Sequence, residues 1–251
     1  MKENLVSIIM PSYNSASHIA QSIESVLAQS YSCWELLVVD DASSDNTTEI
    51  VQKFVNQDER IKLWALPTNY GSAVARNFAI QNASGQFLAF LDSDDLWLLY
   101  KLEKQLAFMN HQQAAFSFSA YQLIDDQGNA LNKTIPVPAT ITYSQYLKNT
   151  IIGCLTVMLD RKQIPEIVFP NLRSSQDMAL WLQILKMGIV AYGFSEPLAC
   201  YRINPNSTTA NKRKAAVGVW HVYRKTERLS LFFSLYNFAG YAFHALKKRI
   251  S

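Results

Sequence analysis

Asp92, Ser93, Asp94 and Asp95 stand together directly after the apolar run Gln86–Leu91. Two carboxylates one residue apart in a turn can point to the same side and hold a hard divalent cation. Mg2+ and Mn2+ prefer such oxygen donors and are often completed by substrate phosphates rather than by a full protein cage. The same pattern also arises by chance or as a helix cap, and Asp95 before Leu96-Trp97 suits a cap alone. Asp177 begins the helical pattern Gln176–Met187, where an acid is also simply favourable to the helix dipole. Arg76 follows Asn69-Tyr70-Gly71-Ser72, a helix opening whose backbone donors, with the guanidinium, could meet an anion; otherwise it is a surface helix residue. No G-x-G-x-x-G follows the first strand and no G-x-x-x-x-G-K-[ST] occurs anywhere, so any phosphate must be held by metal, Arg or Lys.

These residues need a scaffold, and the chain's periodicity supplies one. Leu5–Met10, Trp34–Val39, Ile61–Leu66 and Gln86–Leu91 read as strands. Between them lie helical patterns: one capped by Ser17 and running to Leu27, one opened by Asp45, and Ser72–Gln81. This alternation predicts an α/β fold with a mixed, mainly parallel sheet flanked by helices. Pro11-Ser12-Tyr13-Asn14, Asp40-Asp41 and Asp92–Asp95 all follow carboxyl ends of strands, the edge at which open α/β sheets bind ligands. Further on, Ala114–Ile124 reads as a strand ending in the hairpin turn Asp125–Asn129, and Ser144–Lys148 as a short helix. After the apolar run Ile151–Leu159 comes an exposed loop to Arg173. Gln176–Met187 is helical, and Ile189–Tyr192 and Leu198–Tyr201 read as strands. Trp97 and Trp181 could stack on a ligand or fill the core.

The 251 residues are 49% hydrophobic and 17% charged, enough to bury a core, which excludes a disordered chain. Cys33, Cys154 and Cys200 are odd in number and scattered in apolar stretches, which predicts reduced, buried thiols and a cytosolic compartment. The four histidines show no zinc spacing, and the N-terminal apolar run is too short for a signal peptide. Four N-x-Ser/Thr triplets, at Asn46, Asn82, Asn132 and Asn206, would then go unused.

In order and spacing, five motifs over roughly residues 5–208 resemble the inverting family 2 glycosyltransferases of the GT-A fold. They are Val6–Asn14, Asp40–Thr47, Asn69-Tyr70-Gly71 with Ala75-Arg76-Asn77, Phe90–Trp97, and Gln176-Asp177 before Leu180-Trp181-Leu182. Tyr201-Arg202 then leads into Asn206-Ser207. With Ile152–Val157, the sequence is most similar to bacterial enzymes that build surface polysaccharides. The resemblance implies that Pro11, Ser12 and Tyr13 line a nucleoside pocket and that Asp41 accepts from the uracil N3–H, with Asp40 supporting the turn. It implies that Arg76 faces the base or diphosphate, that Asp92 and Ser93 contact the ribose or donor sugar, and that Asp94 ligates Mn2+ or Mg2+. Asp177 would be the general base, and Arg202 would join a lid over the diphosphate. The implied reaction is a single displacement from a nucleotide sugar, a UDP-sugar, to a hydroxyl of a lipid-linked saccharide.

Two positions depart from the family pattern. Gln176 stands where many relatives have Glu, and Asn204 where many have a metal-binding His. A nucleotidyltransferase would want a basic, glycine-rich first loop, which Pro11–Asn14 is not. A non-catalytic nucleotide-sugar-binding or scaffold subunit is opposed by the retention of both Asp94 and Asp177.

Charge divides the chain. Residues 1–210 hold 14 Lys and Arg against 19 Asp and Glu, whereas residues 211–251 hold nine against the single acid Glu227. Between Arg228 and Lys247 run eighteen uncharged residues rich in Phe and Tyr, broken by Ser230, Ser234, Asn237, Gly240 and His244. The expected organisation is a catalytic domain over residues 1–210 and a basic, aromatic helical tail over 211–251. The tail would lie on an anionic membrane surface, or pack against the domain or a second subunit in a homo-oligomer. Its aromatics are segregated from its cations, which speaks against nucleic acid. The expected location is cytoplasmic, peripheral on the inner face of the cell membrane.

Overall fold

The computed structural model describes residues 1–203 and 212–250, leaving aside the side chains of 212 and 246–250. The first half alternates β1 (Lys2–Ser12), α1 (Ile19–Leu27), β2 (Trp34–Asp40), α2 (Thr47–Val55), β3 (Ile61–Ala65), α3 (Ser72–Gln81) and β4 (Gly85–Phe90). These four strands pair in parallel in the order β3-β2-β1-β4. The chain continues through β5 (Leu96–Trp97), α4 (Lys101–Gln112), β6 (Phe116–Ile124), β7 (Ala130–Ile135), β8 (Thr140–Ile141) and α5 (Tyr143–Tyr146). It ends with β9 (Met158–Asp160), α6 (Gln176–Lys186), β10 (Ala191–Arg202), α7 (Lys212–His221) and α8 (Leu231–Ile250).

The sheet extends past β4 in the order β9-β6-β10-β5. Strand β9 is antiparallel to both β4 and β6, so β6 and β10 resume the direction of β1 to β4. A mostly parallel sheet results, as expected. Alternate residues of the central strands feed two cores, because successive side chains point to opposite faces. Ile9, Leu37, Val39 and Phe90 pack on one side with Trp181; Ile8, Met10, Leu36 and Val38 pack on the other with Leu102 and Met109.

Several elements differ from the sequence expectation. Helix α4 has no counterpart in it, because its buried face of Lys101, Leu102, Gln105, Leu106 and Met109 mixes polar and apolar residues. Gln113, at φ +50°, ends this helix, and Ala114 N–H returns to the Met109 carbonyl. Ser17 is not a cap: α1 begins at Ile19, and the Ser15 carbonyl accepts from His18 and Ile19. The apolar run Ile151–Leu159, given no element from sequence, holds a 3-10 turn (Cys154–Thr156) followed by β9. The two strands expected at 189–192 and 198–201 are one strand, β10, whose register shifts around Pro197. Cys33 is exposed rather than buried, while Cys154 and Cys200 are buried; all three are free thiols.

The basic tail is less separate than its composition suggests. Val219, Val222 and Tyr223, from α7 and the following π-helical turn, join the core around Trp181. Among the described residues, no helix is long and apolar enough to cross a membrane. Asn204, Asn206 and Ser207 lie outside the described residues.

Candidate active site

Each parallel strand delivers its polar turn to the same edge. At the end of β1, Ser12 donates its hydroxyl to Asp40 Oδ1 at 3.0 Å. Asp40 also accepts from the Ser43 N–H and hydroxyl. Asp40 therefore braces the β1–β2 turn pair, as expected. Asp41, 2% exposed, accepts from Tyr70 N–H at 2.8 Å and Gly71 N–H at 2.7 Å. It holds the loop before α3, where Gly71 adopts φ +94°, a conformation that favours glycine. Each Asp41 oxygen keeps a second lone pair for a ligand. Pro11 is buried in register with Val39, and Tyr13 is exposed at the rim.

Arg76 rises from α3, 6% exposed, and its Nη2 donates to Asp92 Oδ1 at 2.5 Å. Its guanidinium lies 5.2 Å from the Phe169 ring centre. Burial opposes the charge, but Asp92, with help from Asp177, outweighs it, and Arg76 holds its proton more tightly than an ordinary arginine. Ser93 is locked rather than presented: its hydroxyl is 2.7 Å from the Ser15 hydroxyl, and its carbonyl accepts from Ser22. The Asp94 carboxyl is raised above the usual aspartate range, first by burial and then by the Asp92 charge.

Asp177 lies in the first turn of α6, near enough to Arg76 and Asp92 to feel both charges. Burial, the largest influence, and Asp92 raise its carboxyl, against the Met178 N–H and Arg76. Gln176 ties this turn to α3 by donating from Nε2 to the Ser72 hydroxyl. The position that departs from the family's Glu thus has a positioning role here.

Arg202 corrects the lid expectation. It is 1% exposed on β10, its Nε donates to the Asp94 carbonyl at 2.6 Å, and its Nη1 donates to the Asp125 and Asp126 carbonyls. Nη2 donates to Gln21 Oε1, and the Arg202 N–H to Asp95 Oδ1. The guanidinium is committed to clamping the Asp94-Asp95 turn against α1 and the β6–β7 turn. Asp95 is therefore a buried strut rather than a ligand candidate.

Trp181 and Trp97 are core residues. Trp181 is fully buried against Phe90, Phe116 and Phe169, and Trp97 donates from Nε1 to the Leu155 carbonyl. The sequence reading missed Arg173, whose Nη1 donates to Asn69 Oδ1 at 3.2 Å beside Gly71. Cys154, expected only as a buried thiol, lies within reach of the Arg76, Asp92 and Asp177 charges. Arg173 lies in no motif and Cys154 in an apolar run given no site role, and long-range packing brings both here.

Among the described residues no group of three or more His, Cys, Asp or Glu could hold a metal ion by itself. Asp92 and Asp94 nevertheless place two hard-oxygen groups side by side whose mutual repulsion a cation would relieve, a donor set that suits Mg2+ or Mn2+.

A mostly parallel sheet of this order, with its acidic turn and helix-borne carboxylate at one edge, has the GT-A architecture of nucleotide-sugar transferases. The chain belongs to glycosyl transferase family 2, whose pattern matches residues 7–163. It is 50% identical over 246 residues, 98% of each chain, to Bacillus subtilis (strain 168) TuaG, provisionally named a teichuronic acid biosynthesis glycosyltransferase. It is 45% identical over 223 residues, 88% of this chain and 86% of the other, to Escherichia coli WfgD. That protein is named a UDP-Glc:alpha-D-GlcNAc-diphosphoundecaprenol beta-1,3-glucosyltransferase. In fold it is similar to S. aureus TarS 1-349 in complex with UDP-GlcNAc, with TM-score 0.71 and 21% identity over 94% of this chain and 71% of that one. A Pyrobaculum calidifontis mannosyltransferase in complex with GDP-Man and Mn2+ gives 0.70 and 19% over 90% and 64%.

Proposed function

We propose that this glycosyltransferase moves a sugar from a UDP-sugar to a hydroxyl of a lipid-linked saccharide, with inversion, in the assembly of a bacterial surface polysaccharide. One observation carries the reading: Arg76 and Asp92, from α3 and the turn after β4, and the sequence-remote Asp177 of α6 act on one another's charge at the carboxyl edge of the sheet. The relatives' names support the donor, the acceptor and the product class.

Ser12, Tyr13 and Asp41 would receive the nucleoside, and Arg76 would fix Asp92 toward the donor sugar. Asp94, with Asp92 beside it, would hold Mn2+ or Mg2+. When bound, that ion supplies positive charge to the departing diphosphate. Asp177 would accept the proton of the attacking hydroxyl; its raised affinity for protons makes it a stronger base than an ordinary aspartate. A single base suffices, since one displacement inverts the anomeric centre. Arg202 would act only through the turn it clamps.

The test is a panel of UDP-glucose, UDP-GlcNAc and GDP-mannose, with and without Mn2+, read by thermal stabilisation and by nucleotide release onto a diphosphoundecaprenol saccharide. UDP-sugars should stabilise the chain more with Mn2+ and be consumed with that acceptor. Preference for GDP-mannose would overturn the donor assignment. Binding without turnover on any acceptor would favour a scaffold subunit.

A further inference from the structure

Helix α8 carries large apolar side chains on its solvent side as well as toward the protein. Ser234 and Asn237 are 0% and 1% exposed, facing the protein, where the Asn237 side-chain oxygen has no partner among the described residues. The opposite face shows Phe232 at 84% exposure, Leu235 at 51%, Tyr236 at 61% and Phe243 at 65%. Spacings of three, four and seven residues put these side chains on one stripe. The orientation is anchored: Phe238 packs edge-on against Trp220, Tyr241 packs at the core margin, and Gly240 lets the helix approach the stem of Lys148. A stripe of large apolar side chains held toward solvent marks an interaction surface.

Charge identifies what covers it. Lys225 and Arg228, just before the helix, are exposed, and Lys148 Nζ lies 4.4 Å from the Tyr236 ring centre. Glu227, the one acid of residues 211–251, is buried and bound by Lys186 and the Tyr143 hydroxyl, so it offers nothing to offset these cations. A second copy docking here would bring two basic tails together. An anionic bilayer instead complements the cations and takes up the aromatics. The helix cannot span, since one side is committed to protein and the chain holds no crossing helix among the described residues.

We propose that the outward stripe of α8, with Lys148, Lys225 and Arg228, is an in-plane docking surface for anionic lipid. The stripe sinks into the headgroup boundary while Ser234 and Asn237 stay on the protein side. This surface is independent of the donor and base assignments, and its test reads vesicle binding rather than transfer.

The test is flotation of the full chain with phosphatidylcholine vesicles, with and without phosphatidylglycerol. Native protein should float with the anionic vesicles. Phe232→Ser combined with Phe243→Ser should weaken binding by about tenfold or more, and Lys225→Glu with Arg228→Glu should abolish the preference for phosphatidylglycerol. As a check that needs no loss of structure, Phe232→Trp should be quenched by brominated lipid. Failure of the native chain to bind anionic vesicles, native binding by the double Phe variant, or absence of quenching would each overturn the proposal. So would a dimer in sedimentation that Phe232→Ser dissolves, because a second copy would then be the occupant.

Discussion

The Asp177 carboxyl is pulled two ways, and burial with the Asp92 charge wins over Arg76 and the Met178 N–H. A base acts only when ionised, so the transfer rate should fall with acidification through a pH above the ordinary aspartate value of 3.8. Asp177→Asn should lower turnover by roughly 10²–10⁴-fold and leave UDP-sugar affinity little changed. The stability sign is opposite. Because the folded-state value is raised, the carboxyl stabilises the fold most below the unfolded value and loses that contribution as pH climbs through the folded one. At neutral pH the Asn variant should therefore melt no lower than the native chain. A pH–rate profile with paired melting curves checks both, and a large loss of melting temperature would make Asp177 structural. That Asp177 stands at a helix start was legible from the apolar pattern after it; that it lies within reach of the Arg76 charge was not, because no local periodicity encodes the approach of α6 to α3.

At the scale of elements, β10 shows where pattern reading stops. Its two apolar stretches were visible, but Pro197 and polar neighbours between them hid a single bent strand spanning Ala191–Arg202. At Gly193 that strand passes close against another segment: a Cβ there would stand 2.0 Å from the Pro138 carbonyl oxygen. Gly193→Ala should therefore cost about 3 kcal/mol of stability by overpacking, measured by urea unfolding. An unchanged midpoint would mean that the 136–140 loop yields freely. Helix α4 was missed for a related reason. Gln105 is buried because Ser117 and the Thr156 carbonyl accept from its amide, partners that only the folded sheet supplies.

At the scale of the whole molecule, the basic tail is two things at once. Its first part completes the core, with Val222 and Tyr223 fully buried and the Tyr223 hydroxyl donating to the Leu147 carbonyl. Its second part, α8, turns aromatics outward. Deleting residues 212–251 should therefore yield an unstable, aggregating chain, since apolar surface around Leu147 and Trp181 would be uncovered. Expression and melting of that truncation against the α8 point variants would tell the two parts apart; a truncation as stable as the native chain would make the whole tail an appendage. Composition alone determined that acid and base are segregated along the chain. Periodicity determined the strand–helix alternation and the placing of Ser12, Asp41 and Asp92 at strand ends, because helix and strand repeats and turn chemistry are local properties. Only the tertiary structure decided that Asp177 comes within reach of the Arg76 and Asp92 charges, that Arg202 clamps a turn instead of covering a ligand, and which face of α8 is outward. Each of these depends on packing between segments remote in sequence, where the energy of burial and of long-range hydrogen bonds outweighs any local preference.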